Sequence, residues 1–239
     1  MKIIQKSLCN VPIAGIQALT TIDFPGKISA VFFTKGCPWQ CRYCHNPSLR
    51  LLDTDNLLSG DYVKEFLRKR IGYLEGVVIS GGEPTIHASL PRLLTWIRGL
   101  GYATALHTNG CFPEMLYLLI KKRLVNYVAL DIKAPPKAYD RITQGLNTGV
   151  AVAKSIEIIL SSGIAYEFRT TYHPALLSDQ DLMDIVHAIA RAGAKNFFFQ
   201  CFRSEGVIDT ELAASGNVIA IPEPVVEESR RLFPEFAVR

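Results

Sequence analysis

The sequence has no stretch of about 18 unbroken apolar residues, the length that marks a membrane-spanning helix. Its first residues, MKIIQKS, lack the apolar segment and the small-residue cleavage site of a secretory signal. An excess of one charge is also missing, because 26 basic and 22 acidic side chains give a net charge of only +4. With 49% apolar and 20% charged residues, the composition is that of a globular chain. We therefore expect a cytoplasmic protein with neither a nucleic-acid partner nor a membrane partner.

Cysteines are few and unevenly placed. Three of the six, Cys37, Cys41 and Cys44, fall within eight residues, and the others stand singly at Cys9, Cys111 and Cys201. Without an export signal a disulfide framework is not expected, so metal or redox chemistry is favoured. A short loop with C-x3-C-x2-C spacing can turn three thiolates towards one point. Such soft ligands suit zinc or an iron–sulfur cluster.

The ligand count separates these two interpretations. A closed structural zinc site requires a fourth ligand, but no second CxxC pair is present. His45 directly follows Cys44, and adjacent side chains usually point in different directions. Three thiolates on a four-iron cluster would instead leave one iron open to bind another molecule. We favour the open cluster, and a zinc-bearing interaction module is the alternative from a different functional class.

Apolar strands and amphipathic helices alternate six times along the chain, which indicates a parallel sheet covered on both faces. The pattern predicts an α/β fold, namely a single-domain, partial (β/α)6 TIM-like barrel that is open at one side. We expect an irregular lead-in over 1–27, a core over 28–203 and a C-terminal extension over 204–239 that packs on the core. The strands are predicted at 28–34, 76–80, 102–106, 126–130, 165–171 and 196–200, and the helices at 58–71, 88–99, 113–122, 148–162 and 178–192.

Polar segments follow several of these strands, where chemistry collects in α/β folds. Gly81-Gly82-Glu83-Pro84 follows the second strand, and His107-Thr108-Asn109-Gly110 and Asp131-Ile132-Lys133 follow the next two. Taken singly, each is an ordinary turn or a solvated charge pair. Their repetition at one rim, together with the cysteine loop, favours a binding site.

The cysteine loop resembles a known signature. The pattern C-x3-C-x-aromatic-C, with Tyr43 as the aromatic residue, is similar to that of the radical S-adenosylmethionine (SAM) superfamily. Thr21-Ile22-Asp23-Phe24-Pro25-Gly26 and Cys44-His45-Asn46-Pro47 resemble the activating enzymes of glycyl radical enzymes. Within that family the sequence is most similar to the activating proteins of anaerobic ribonucleoside-triphosphate reductase, with the pyruvate formate-lyase activases next. The similarity extends over residues 14–203.

The resemblance implies a set of site residues. Cys37, Cys41 and Cys44 would hold a [4Fe–4S] cluster, whose fourth iron would chelate the amino and carboxylate groups of SAM. The implied SAM contacts are Tyr43 and His45 beside the adenine, Gly81, Gly82 and Glu83 at the methionine amino group, Thr108 and Asn109 in a polar turn, Asp131 and Lys133 near the ribose and carboxylate, and Arg169 towards the substrate. No residue is expected to act as a general acid or base.

The implied reaction is reductive cleavage of SAM, followed by abstraction of a hydrogen atom from a glycine of a partner enzyme. The expected partners are a glycyl radical enzyme, with anaerobic ribonucleotide reductase favoured, and flavodoxin or ferredoxin as electron donor. A radical SAM enzyme acting on pyruvate formate-lyase, or on a small molecule as 7-carboxy-7-deazaguanine synthases do, is the alternative. His107 replaces an aspartate that contributes to a cation site in pyruvate formate-lyase activases, so no cation site is predicted. No cysteine lies between Cys44 and Gly81, so one cluster is expected.

Overall fold

The computed structural model describes residues 11–239, so Cys9 and residues 1–10 of the predicted lead-in lie outside the described residues. The strands are β1 (Ile13–Thr20), β2 (Ser29–Thr34), β3 (Gly76–Gly81), β4 (Ala103–Thr108), β5 (Tyr127–Asp131), β6 (Ala165–Tyr172), β7 (Asn196–Cys201) and β8 (Glu235–Val238). The α-helices are α1 (Gly60–Arg68), α2 (Leu90–Gly99), α3 (Pro113–Lys121), α4 (Tyr139–Thr143), α5 (Thr148–Ser162), α6 (Asp179–Arg191), α7 (Thr210–Ala214) and α8 (Glu223–Leu232).

The strands follow one another in the sheet in chain order. β1 is antiparallel to β2, whereas β2 to β4 and β6 to β8 pair in parallel. In the part of the chain that is described, β1 and β8 stand at the two ends of this order, so the sheet does not close. The predicted α/β fold, a single domain of the partial-barrel type, is confirmed.

Within this domain the chain forms two compact units. Among the described residues, the first comprises 11–37, Ser48–Thr108 and Glu114–Val128, and the second comprises Pro38–Pro47, Asn109–Pro113 and Ala129–Arg239. In the first unit, Val77, Val78 and Ile79 of β3 are all fully buried. Such a strand is apolar on both faces because helices cover both sides of a parallel sheet. The Ser59 side chain caps α1 by accepting the backbone N–H of Tyr62.

The core of the second unit is aromatic. Phe168 of β6 and Phe197 and Phe199 of β7 are fully buried, and the rings of Phe197 and Phe199 meet edge to face at 4.9 Å. Ser178 and Asp181 form a capping box that fixes the start of α6. These contacts hold β6, which carries the predicted site residue Arg169, against β7.

Two predictions for the chain ends need correction. The predicted irregular lead-in is wrong for Ile13–Thr20, which forms β1, and the C-terminal extension, for which no strand is predicted, contains β8 as well as α7 and α8. Both strands are largely half-buried or exposed, so hydrogen bonding to a neighbouring strand holds them and the apolar pattern does not reveal them. No helix within residues 11–239 is both long and apolar enough to cross a bilayer.

Candidate functional site

The cysteine loop begins directly after β2. The N–H of Gly36 donates to the carbonyl of Leu49 at 2.8 Å, and the N–H of Cys37 donates to that of Arg50 at 3.0 Å. Further along, the N–H of Cys44 donates to the carbonyl of Cys41 at 3.2 Å, which closes a tight turn around the last two cysteines. Backbone hydrogen bonds therefore fix the loop at its start, around Cys37, and at its end, between Cys41 and Cys44.

Cys37, Cys41 and Cys44 are not joined in disulfides, and they differ in exposure. Cys41 is buried, and Cys37 and Cys44 are half-buried. Burial raises the pKa of the Cys41 thiol, and the neighbouring Lys133 ammonium only partly offsets this effect. Ligand thiolates must lose their protons, so metal binding would displace a proton from Cys41.

The donor set fits an iron–sulfur cluster in its chemistry, since three soft sulfur atoms lie on one short loop. Among residues 11–239, no three or more His, Cys, Asp or Glu side chains are already grouped as a metal site. The support for the cluster therefore comes from the type and spacing of the donors, because the described residues do not form a preformed coordination site. The single cysteines Cys111 and Cys201 are half-buried.

The predicted glycine motif forms a turn at the end of β3, which we call the glycine turn (Gly81–Thr85 with Thr108). A Cβ atom at Gly81 would lie 2.2 Å from the Thr34 nitrogen, and one at Gly82 would lie 2.3 Å from the Gly36 oxygen. Both glycines thus permit close packing of backbone against backbone at the start of the cysteine loop. The N–H of Glu83 completes this packing by donating to the Gly36 carbonyl at 2.7 Å.

The carboxylate of Glu83 is fully buried within the glycine turn. Its Oε1 accepts hydrogen bonds from the Thr85 N–H at 3.0 Å, the Thr85 hydroxyl at 2.5 Å and the Thr108 hydroxyl at 2.7 Å. Three donors compensate for removing this charge from water. The structure thus brings the predicted residues Gly81, Gly82, Glu83 and Thr108 together and adds Thr85.

Four charged side chains at the end of β5 and within β6 form a second group, which we call the ionic cluster (Asp131, Lys133, Glu167 and Arg169). The Arg169 guanidinium donates to Asp131 Oδ1 from Nε at 2.8 Å, and its Nη2 lies 2.8 Å from the same oxygen. Lys133 Nζ is 3.7 Å from Asp131 Oδ2, and Arg169 Nη1 is 3.6 Å from Glu167 Oε1. Asp131 is therefore shared by two cations, as in a network rather than an isolated pair.

Tyr43, from the cysteine loop, lies over Lys133. The ammonium is 5.5 Å from the centre of the Tyr43 ring, within the range of a cation–π contact. Burial acts to lower the pKa of Lys133, but the negative groups around it, with Asp131 as the permanent charge, outweigh burial and raise this pKa well above its ordinary value. Lys133 is therefore a stable cation close to Cys41, Tyr43 and Asp131.

The two remaining predicted residues have well-defined partners. His45 Nε2 is 2.8 Å from the Arg203 carbonyl oxygen, and its ring lies against Phe202 with centroids 5.7 Å apart. Asn109 is buried, and its side-chain oxygen accepts the N–H of Cys111 at 3.0 Å. His107, which replaces the cation-site aspartate of pyruvate formate-lyase activases and is not a predicted site residue, has its Nε2 2.9 Å from the Asp23 carbonyl oxygen.

Three residues that belong to these groups or contact them are not predicted from the sequence. Thr85 holds Glu83, the Tyr139 hydroxyl accepts the N–H of Lys133 at 2.9 Å, and Glu167 pairs with Arg169 and with Arg239. Glu167 carried a usable signal, because residues two apart on a strand point to the same face and Glu167 precedes Arg169 by two. Thr85 and Tyr139 carried no comparable signal.

The protein is an α/β domain with an open sheet. A three-cysteine loop follows its first parallel strand, and polar groups follow later strands. These features together are typical of a class of cluster-dependent enzymes. The model of the radical SAM superfamily matches residues 31–192. The match covers more than half of the chain, and the protein belongs to this superfamily. Members of the superfamily are enzymes that use a [4Fe–4S] cluster and SAM.

Individual relatives refine the comparison. The chain is 29% identical over 227 residues to a Methanocaldococcus jannaschii protein named "Putative glycyl-radical enzyme activating enzyme MJ1227", covering 92% of this chain and 89% of the relative. It is 31% identical over 104 residues to the pyruvate formate-lyase-activating enzyme of Staphylococcus aureus (strain USA300), covering 41% of each chain.

Solved structures share the fold. SuiB of Streptococcus suis, solved with bound S-adenosylmethionine, aligns with a TM-score of 0.62 at 16% identity, over 85% of this chain and 48% of SuiB. QueE from Escherichia coli aligns with a TM-score of 0.56 at 15% identity, over 96% of this chain and 93% of QueE. This chain therefore spans about half the length of SuiB but nearly all of QueE.

Proposed function

We propose that the protein is the activating enzyme of a glycyl radical enzyme, and that its partner is an anaerobic ribonucleoside-triphosphate reductase. The observation that carries the proposal is the similarity to MJ1227, which extends over 92% of this chain. The motifs at 21–26 and 44–47 support the reductase as partner because they are most similar to those of its activating proteins.

Cys37, Cys41 and Cys44 would hold the cluster. When bound, the cluster supplies the electron that cleaves SAM, and SAM supplies the radical that removes a hydrogen atom from glycine. The turn from Cys41 to Cys44 holds two of the three sulfur-bearing residues close together in the chain. The Lys133 ammonium beside Cys41 would offset part of the negative charge that three thiolates bring to the loop.

The remaining residues would bind and orient SAM. The glycine turn presents backbone carbonyl groups to which the methionine ammonium could donate, and the buried Glu83 carboxylate, held by donors from Thr85 and Thr108, fixes the conformation of that turn. Lys133 is suited to the methionine carboxylate and Asp131 to the ribose hydroxyls. Thr108 and Asn109 supply a polar turn, and Tyr43 and His45 supply rings for the adenine.

Arg169 is proposed to face the partner's glycine segment. Asp131 holds its guanidinium through two contacts, so the side chain has little freedom to turn away. A highly reactive primary radical needs a target held near contact distance and a pocket without water. A fixed, donor-rich guanidinium can hold the carbonyl groups of an entering peptide by donating N–H hydrogen bonds to them.

Pyruvate formate-lyase is the second candidate partner. The match to the S. aureus activating enzyme favours it at 31% identity, although that match covers only 41% of this chain. For either partner we propose flavodoxin or ferredoxin as the electron donor in the cytoplasm.

The test is anaerobic incubation of the reconstituted protein with SAM, a reductant and each candidate partner, followed by electron paramagnetic resonance of the partner. The proposal predicts a glycyl radical signal in the reductase, none when Cys41→Ser replaces the wild type, and an unchanged signal with Cys201→Ser. A signal only in pyruvate formate-lyase would select the second candidate. Turnover of a small molecule with no signal in either partner would contradict both.

A further inference from the structure

Arg42 is a charged residue inside the cysteine loop, between Cys41 and Cys44, that the proposed cofactor contacts do not use. Its Nε lies 2.6 Å from Asp209 Oδ2, and its Nη2 lies 3.2 Å from Asp209 Oδ1 and 2.7 Å from Glu211 Oε2. One guanidinium therefore forms a forked pair with one carboxylate and a further contact with a second. Forked charge-assisted pairs fix orientation as well as distance.

The sequence separation sets this contact apart from other ion pairs of the molecule. Arg42 and Asp209 are 167 residues apart. Lys69–Glu65 and Arg231–Glu228, in contrast, join residues four and three apart on one helix. An ion pair between neighbouring residues of one helix adds no long-range link, whereas Arg42–Asp209 ties the cysteine loop to the C-terminal part of the chain.

The acidic side of the contact is itself fixed. Asp209 is the N-cap of α7, and its Oδ1 accepts the N–H of Leu212 at 3.1 Å. Leu212 is fully buried, so it anchors the short helix. The Asp209 side chain is 19% exposed and that of Arg42 is 36% exposed, so the pair is more shielded than an ordinary surface ion pair.

A second, uncharged set of contacts involves His45, the residue that follows Cys44. Its Nε2 is 2.8 Å from the Arg203 carbonyl oxygen, and its ring packs on the fully buried Phe202. A Cβ atom at Gly206, where φ is +81°, would lie 2.6 Å from the His45 carbonyl oxygen. Residues on both sides of Cys44 therefore contact the segment from 203 to 211.

We propose that residues 203–211 form a strap that fixes residues 41–45 of the cysteine loop, and that Arg42 is a positioning residue for the cluster. This inference rests on the proposed function, because it assigns the strap a purpose only if the loop holds a cluster. The strap holds the loop partly ordered before the cluster binds, so binding costs less conformational entropy. It also restricts the opening motion of the loop that would let iron escape.

The experiment compares Arg42→Gln, Arg42→Lys and Asp209→Asn with the wild type in the full-length protein. Asparagine caps a helix as well as aspartate does, so Asp209→Asn removes the charge and keeps the cap of α7. Arg231→Gln is the matched control, since it removes a forked arginine contact in the same C-terminal part of the chain. Hydrogen exchange of residues 40–47 is measured without the cluster. Iron and sulfide content and the rate of iron loss to a chelator are measured with it.

We expect Arg42→Gln and Asp209→Asn each to raise both exchange in the loop and the rate of iron loss about tenfold, as loss of a charged hydrogen bond allows. Arg42→Lys should raise both rates by less than Arg42→Gln does, because lysine keeps the charge but cannot form the forked contact. The double variant Arg42→Gln/Asp209→Asn should show exchange and iron-loss rates close to those of either single variant. Arg231→Gln should match the wild type.

The inference would be overturned by any of the following results. Unchanged exchange in both Arg42→Gln and Asp209→Asn would show that no strap operates. Faster exchange with unchanged iron loss would show a contact that serves folding alone. A wild-type protein that binds no iron or sulfide would defeat the proposed function, whereas a wild type that binds both while its variants behave identically would defeat only the strap.

Discussion

The glycine turn and the ionic cluster both bring predicted site residues together, but different interactions stabilise them. In the glycine turn, backbone lies against backbone, and the one charged group, Glu83, is enclosed by three donors. In the ionic cluster, Asp131 is shared between Lys133 and Arg169, and a third of its side chain is exposed. Steric exclusion fixes the first region, and balanced charge fixes the second. Substitutions should therefore lower the stability of the first region sharply and that of the second region by smaller steps.

Gly82→Ala gives the largest expected effect. The new methyl group would lie 2.3 Å from the Gly36 oxygen and 2.9 Å from the Leu49 oxygen, and neither backbone can move away easily. We expect a loss of about 3 kcal/mol or more in the free energy of unfolding, measured by denaturant titration. Gly99→Ala is the control, because no atom lies within 4 Å of its Cβ position. A Gly82→Ala variant as stable as the wild type would contradict the steric account.

Asp131→Asn tests the ionic cluster. The change leaves Lys133 and Arg169 without their shared anion, and it should cost about 2 kcal/mol in stability, the range of a hydrogen bond to a charged group. Under the proposed function it should also weaken SAM binding, measured by calorimetry on the reconstituted protein. Asp61→Asn, which alters a 94% exposed partner of Lys64, should change neither quantity. Equal effects of the two variants would refute the network.

Thr108→Val sharpens the comparison within the glycine turn. It removes one donor to the Glu83 carboxylate and leaves the two from Thr85, so we expect a loss of about 1–2 kcal/mol in the free energy of unfolding. Thr95→Val provides the control, since the Thr95 hydroxyl bonds only to a carbonyl of its own exposed helix face. A cost no greater than that of Thr95→Val would mean that Glu83 does not depend on Thr108.

The smallest effect concerns pH. The Arg42 guanidinium lowers the pKa of Asp209 to about 2, below its value in the unfolded chain. The stabilisation is therefore complete above about pH 4 and is lost as the pH falls from about 4 towards 2. Arg42→Gln should return the pKa of Asp209 towards its ordinary value, as followed by NMR titration of the carboxyl carbon. An unchanged titration would contradict the ion pair in solution.

The sequence predicts the parts of this molecule that burial dictates. β3 is apolar on both faces, β7 carries three consecutive phenylalanines, and both are found where expected, whereas β1 and β8 are edge strands that carry little apolar pattern. For the site, motif spacing places the cysteines and the glycine turn at strand ends. The partners could not be predicted in the same way: 25 residues separate Thr108 from Glu83 and 167 separate Asp209 from Arg42. Only the folded chain brings such pairs together.

The central claim is that Cys37, Cys41 and Cys44 together hold one iron–sulfur cluster. Its most direct test is quantitation of iron, acid-labile sulfide and zinc in anaerobically prepared protein, alongside single serine variants of each cysteine and Cys201→Ser. The account predicts about four iron and four sulfide per chain, as the cluster type requires, with loss in each of the three variants and none in Cys201→Ser. One equivalent of zinc, with neither iron nor sulfide, would contradict it.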